Sequence, residues 1–253
     1  MRRMHEAKTV LTVDDIAAWF HASRTPLLSK DEAIVLAHTM HPRTVFVKTL
    51  APGAHLLDMG AGDGSLEVYR RWPAPQREDL RMYAYALSKG ARFDAYDGWE
   101  IGDWETRPPG FPGIAFDAIF CAHFIEYVED AVPFVRWTGE RLRAGGRVYL
   151  EWPSPFSAVL PKVSELVQRG IPITISNFHD DANVKRIHDR AQVVSELIEV
   201  GFFIEAQGYV SMPLVEEEVL AHFANGSIDD RYVVQLAYWS KTRWAQYLVA
   251  VRR

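Results

Sequence analysis

Three glycines at alternate positions follow a short apolar run in His55-Leu56-Leu57-Asp58-Met59-Gly60-Ala61-Gly62-Asp63-Gly64-Ser65-Leu66-Glu67. Glycine is needed where the backbone takes unusual dihedrals and where a ligand must approach the main chain closely. A helix opening directly after such a turn offers free N–H groups to a carboxylate or another polar group. The spacing discriminates between ligands. Dinucleotide folds use G-x-G-x-x-G, with the third glycine one place later, and the P-loop ends in Gly-Lys-Ser/Thr. Here the pattern is G-x-G-x-G followed by Ser65, which fits neither. The plain alternative is a tight strand–helix turn with no ligand.

Other residue types able to do chemistry lie downstream. Ile101-Gly102-Asp103-Trp104 ends an apolar run with an acid and an indole that can pack on a flat ring. His123 and Glu126 follow a second apolar run, Phe116–Cys121, and the segment Asn177-Phe178-His179-Asp180-Asp181 precedes His188-Asp189. Histidine titrates near neutral pH and is the usual base for an oxygen nucleophile. His179 and His123 are therefore the catalytic candidates. Their plain readings are a solvated polar turn for His179 and an orienting role at a strand end for His123. His179, Asp180, Asp181 and His188 carry metal-ligating atoms but no specific spacing, so no metal is assigned. Glu126 reads as an acid in the first turn of a helix.

These residues need a scaffold to converge. Apolar runs mark strands at His55–Met59, Arg81–Leu87, Ala95–Ile101, Phe116–Cys121, Gly146–Glu151, Phe202–Tyr209 and Tyr247–Arg252. Helical patterns follow Gly64 and span Ala131–Leu142 and Arg190–Val200. Strands alternating with helices imply βαβ units and a Rossmann-like, doubly wound, mostly parallel seven-stranded α/β sheet. Before it, residues 1–54 read as an N-terminal helical cap. Thr12 opens one amphipathic run, Ser29 and Glu32 have capping-box spacing for a second, and Pro42 begins a third. Residues 55–253 form the main domain, interrupted at about 153–189 by Pro, Ser, Asn and Asp. An irregular connection of that length is usually a lid or a binding segment, which predicts that it covers the acceptor site.

The glycine segment resembles motif I of the class I S-adenosylmethionine (SAM)-dependent methyltransferases: an apolar strand, an acid, then G-x-G-x-G. Ile101-Gly102-Asp103-Trp104 resembles the family's turn after the third strand, and Phe116–Cys121 its fourth strand. Ala122–Val128 looks like the start of the next helix, and Leu142-Arg143-Ala144-Gly145-Gly146 like the turn into the fifth strand. The matches span roughly residues 55 to 151 and keep the family's order. The resemblance implies SAM as cofactor, held by Asp58, Gly60, Ala61, Gly62 and Gly64, with Asp103 on the adenine and Trp104 beside it. One departure stands out. The acid that family members place after the second strand, for the ribose hydroxyls, is missing from Ala86-Leu87-Ser88. Asp94 and Asp97 are the nearest substitutes.

Composition narrows the partners. A net charge of −5 gives no global basic field for nucleic acid, and the clusters Arg70-Arg71 and Arg141-Leu142-Arg143 read as solvated helix faces. A single cysteine, Cys121, allows neither an internal disulfide nor a multi-cysteine zinc site. No apolar run approaches a membrane span, and the basic start Met1–Glu6 lacks a signal-peptide core. The expectation is a cytoplasmic methyltransferase acting on a small molecule, at oxygen, without nucleic-acid or membrane partners. The alternatives are a non-catalytic SAM-fold binding protein and a SAM-fold enzyme of another reaction class.

Overall fold

The structure, a computed structural model, describes residues 10–253; the basic start at Met1–Glu6 lies outside the described residues. Seven strands form one sheet: β1 (His55–Met59), β2 (Arg81–Ala86), β3 (Gly98–Ile101), β4 (Phe116–Ala122), β5 (Leu142–Pro153), β6 (Phe202–Tyr209) and β7 (Ala245–Arg252). Their order is β3-β2-β1-β4-β5-β7-β6. The first five pair in parallel, and β7 alone is reversed, antiparallel to both β5 and β6. The expected mostly parallel, seven-stranded α/β sheet is present.

The helices are α1 (Val13–His21), α2 (Lys30–Thr39), α3 (Pro42–Lys48), α4 (Leu66–Arg71), α5 (Ala131–Arg141), α6 (Val163–Val167), α7 (Arg190–Glu199), α8 (Pro213–Ala224) and α9 (Arg231–Thr242). Side chains alternate across each strand. Leu56, Ala118 and Phe120 thus enter a core with α3 and α4, while Leu57, Ile119 and Cys121 enter the opposite core with α5 and α7. Strands covered on both faces need apolar residues at successive positions, which is why β1 and β4 read as continuous apolar runs. A third core joins Ile16 and Phe20 of α1 and Ala33 of α2 to Leu166 and Ile171 of the insertion and Val219 and Val234 of α8 and α9. The first two N-terminal helices therefore pack with the insertion and the C-terminal helices, whereas α3 packs on the sheet.

The capping boxes close at both expected helix starts: Thr12 with Asp15, and Ser29 with Glu32. Several details differ from the sequence expectations. β5 begins at Leu142 rather than Gly146, so Arg143 lies on a strand, paired with Asp117, rather than on a helix face. β3 begins at Gly98 rather than Ala95, because Phe93–Ala95 form a 3-10 turn and the Asp97 carboxylate accepts the Met82 N–H. Residues 123–130 are a loop with a 3-10 turn, and the helix starts only at Ala131, where Asp130 caps it. Arg70 is buried against Glu67 and the Ala95 carbonyl rather than solvated. Finally, no element is expected between Tyr209 and Tyr247, yet α8 and α9 fill that stretch. Among the described residues no helix is long and apolar enough to cross a membrane.

Candidate functional site

The strand order reverses between β1 and β4, and in open α/β sheets ligands bind at that point beyond the carboxyl ends of the strands. The glycine loop leaves β1 there, and His123 leaves β4 beside it. The three glycines do different things. All three have positive φ, +70° at Gly60, +56° at Gly62 and +86° at Gly64. A Cβ on Gly60 would lie 2.9 Å from the Phe124 side chain, and one on Gly64 would press on Arg92, Phe93 and Tyr96. A Cβ on Gly62 would meet nothing nearer than the Gly60 carbonyl at 3.9 Å. Gly60 and Gly64 thus serve packing, and Gly62 borders open space at the wall of the larger cavity. Asp58 braces the loop from below: the Tyr96 hydroxyl donates to its carboxylate at 2.7 Å and also lies 3.2 Å from the Gly64 carbonyl. Burial raises the Asp58 pKa to about 7 in spite of that bond.

Two cavities share Gly60 as a wall. The larger, about 620 Å³, runs from Gly60 and Gly62 past Leu87 and Ser88 to Asp103 and Trp104. The smaller, about 80 Å³, lies on the other side of the loop, against Asp58, Arg43 and the rings of Tyr69 and Tyr232. The two tyrosine hydroxyls are 3.0 Å apart. Asp103 is exposed to the larger cavity. Its Oδ1 accepts the Glu105 N–H at 3.0 Å, and Oδ2 has no protein partner among the described residues. Trp104 is 9% exposed and packs edge-on against Phe134 and Trp137, so it is core with one face on the cavity.

Of the two histidine candidates, only His123 reaches a cavity. Its φ of +55° is rare for a residue with a side chain and carries strain that the surrounding contacts must hold. His123 Nδ1 is 3.1 Å from Glu126 Oε1. Nε2 is 3.1 Å from Glu151 Oε1, near enough for an ion pair though off the line of a good hydrogen bond. Glu151 is 1% exposed, at the end of β5, and Arg43 of α3 clamps both its oxygens. The Tyr149 hydroxyl donates to the same carboxylate. Burial opposes the charge on Glu151, but Arg43 and then His123 outweigh it and hold its carboxyl well below the usual range. Burial likewise works against a charged His123, and the hydrogen bond to Glu126 with the Glu151 carboxylate beside Nε2 overcomes it, raising the pKa above the usual 6.5.

His179 is exposed, in a 3-10 turn whose amides are capped by Asn177 and Asp180, and lines neither cavity. His188 is buried, with Nε2 donating to the Ile125 and Val128 carbonyls. Among the described residues no three His, Cys, Asp or Glu side chains are grouped to hold a metal ion. The two substitutes for the missing second-strand acid are also elsewhere. Asp94 is exposed and paired with Lys89, and Asp97 sits at the amino-terminal end of β2, away from the cavity. Sequence reasoning missed Arg43, whose partner is 108 positions away. It also missed Gly90, where a Cβ would lie 2.4 Å from the Gly62 carbonyl, so only glycine lets that loop pack on the glycine turn.

No protein-family model matches the sequence, and no curated protein matches it. Solved structures do. The chain is similar to a SAM-dependent methyltransferase from Mesorhizobium loti, with a TM-score of 0.56 and 18% identity over 83% of this chain and 96% of that one. It is also similar to the cyclopropane synthase MmaA2 from Mycobacterium tuberculosis, with a TM-score of 0.50 and 16% identity over 97% and 100%. A third is the CurJ carbon methyltransferase, at TM-score 0.50 and 16% identity over 83% of this chain and 53% of that one. At such identities the likeness shows the fold, that of the class I SAM-dependent methyltransferases.

Proposed function

We propose that this chain binds SAM and transfers its methyl group to a small-molecule acceptor, at oxygen. The observation that carries the reading is the pair of cavities meeting at Gly60, on the carboxyl edge of the sheet where the strand order reverses. The larger suits a nucleoside, with Asp103 free to accept from an adenine amino group and Trp104 beside it. The smaller suits an amino-acid end, with a guanidinium, two tyrosine hydroxyls and Asp58 around it. SAM has these two ends, and when bound it supplies a methyl group on a sulfonium. The protein's share of such a displacement is alignment and exclusion of water. The missing acid at Leu87-Ser88 favours the alternative, a non-catalytic binding protein, and the decisive measurement is calorimetric titration with SAM and its demethylated product. Wild type binds both, and Asp103→Ala weakens binding by about 1–3 kcal/mol, the cost of a hydrogen bond to a charged group. Absence of binding to wild type overturns the proposal. Binding without methyl transfer to any of a panel of hydroxylated small molecules favours the alternative.

His123 is the residue we assign to the acceptor's proton. Both its nitrogens face carboxylates, so below its raised pKa it rests as a cation and cannot accept a proton. Turnover should therefore rise with pH through a value above 6.5. His123→Gln should lower turnover and remove that rising limb while leaving SAM affinity nearly unchanged. A folded His123→Gln enzyme with the wild-type pH profile would return His123 to a purely orienting role. His179, exposed and outside both cavities, has no part in this assignment.

A further inference from the structure

None of residues 153–189 reaches the smaller cavity, but Asp181, Asn183 and Lys185 line the larger one. That segment is stitched along one side to the loop after β4. The Tyr127 hydroxyl donates to Asp181 at 2.8 Å, the Lys185 and Arg186 amides donate to the Glu126 carbonyl, and Arg186 reaches the Glu129 carbonyl at 3.3 Å. To the loop after β3 that carries Asp103, the connection among the described residues is one side-chain pair: Lys185 Nζ to Glu105 Oε1 at 2.9 Å. Lys185 also lies 3.6 Å from Glu129, whose N–H donates to Glu105 at 3.4 Å. Glu105 and Lys185 both line the cavity, 45% and 32% exposed.

We infer that residues 181–186 are the outer wall of the nucleoside site and that the Glu105–Lys185 pair is its gate, a reading that rests on the cofactor assignment above. The asymmetry is the reason. Main-chain hydrogen bonds hold the wall to the loop after β4, while a partly exposed ion pair, weak enough to break and reform thermally, joins it to the loop after β3. A nucleoside in the larger cavity is enclosed when the pair is closed. Enclosure also answers the missing acid after β2: a site without carboxylate bonds to the ribose retains its ligand by slowing its escape. Residues 181–186 of the insertion are thus tied to the cofactor cavity.

Dissociation of the demethylated cofactor, measured by stopped-flow with the full-length protein, tests this. At low salt, Lys185→Ala and Glu105→Lys should each speed dissociation by roughly two- to fivefold, the range for one exposed ion pair. The charge swap Glu105→Lys with Lys185→Glu should return the rate toward wild type, and added salt should narrow the differences. Unchanged rates in the single variants, or a swap that does not restore, overturn the gate while leaving the cofactor assignment intact. A wild-type protein that does not bind the ligand at all overturns the assignment, and the gate with it.

Discussion

Gly62→Asn should leave the protein folded and cost it at least about tenfold in SAM affinity, roughly 1.4 kcal/mol. Position 62 has φ +56°, where asparagine is the best tolerated residue after glycine, so the backbone penalty should stay within about 1–2 kcal/mol. The space around a Cβ there is free to 3.9 Å, so the first side-chain atom is accommodated without displacing a neighbour. What the side chain meets is the cavity itself. Gly60→Asn makes the contrasting control, because its Cβ would strike Phe124 at 2.9 Å and disturb the loop whether or not a ligand binds. Thermal melts separate the two: the Gly60 variant loses stability, while the Gly62 variant loses binding. Wild-type SAM affinity in a folded Gly62→Asn protein would remove the glycine loop from the cofactor site.

The framework of this site is readable in the sequence because it depends on local patterns. The glycine loop, the strands β1, β4 and β6 and the caps of α1 and α2 all come from residues within a few positions of one another. β1 and β6 even keep their expected ends. The helices α8 and α9 escape notice, though Pro213 at the first turn and Asp230 as an N-cap are ordinary start signals. α8 is buried nearly all round and so shows little period, whereas α9 is as amphipathic as α5 and α7 and carries a readable signal.

The charge-bearing part of the site was not readable, for the opposite reason. Glu151 stands at the end of an apolar strand, where its sequence neighbours say only that a strand is ending. Its partners arrive from α3, from the loop after β4 and from two positions back along β5. His179 looked as suitable as His123, because residue type and polar company are the same for both. Burial separates them, since only His123 is drawn between two carboxylates that the sheet brings together.

Removing Glu151 should be the most damaging single change in this network. Glu151→Leu leaves the Arg43 guanidinium and the His123 imidazole buried beside an apolar side chain, and stripping one partner from a buried pair costs about 3–5 kcal/mol. Arg43→Met should cost a similar amount by stranding the carboxylate. The double variant, with both charges gone, should be more stable than either single one, since desolvation of the pair then disappears along with its attraction. Because Arg43 lies on α3 and Glu151 on β5, hydrogen exchange should show the single variants loosening α3 from the sheet first. The pH dependence has a definite sign. Glu151, with its pKa depressed, contributes stability above 4.5 that is lost as pH falls below it. His41, buried and held neutral with a pKa lowered to about 3, also costs stability as pH falls through 6.5. His123, with its pKa raised, contributes below 6.5 and loses that contribution as pH rises through its folded value. Asp58, raised to about 7, works the other way from Glu151 and costs stability as pH rises from 3.8 toward 7. Compared with wild type, Glu151→Leu should lose the dependence that Glu151 supplies below 4.5 and much of the fall above 6.5, keeping only what Glu126 supplies to His123. A double variant destabilised by the sum of the two singles, with the wild-type pH curve, would mean that Arg43 and Glu151 act independently.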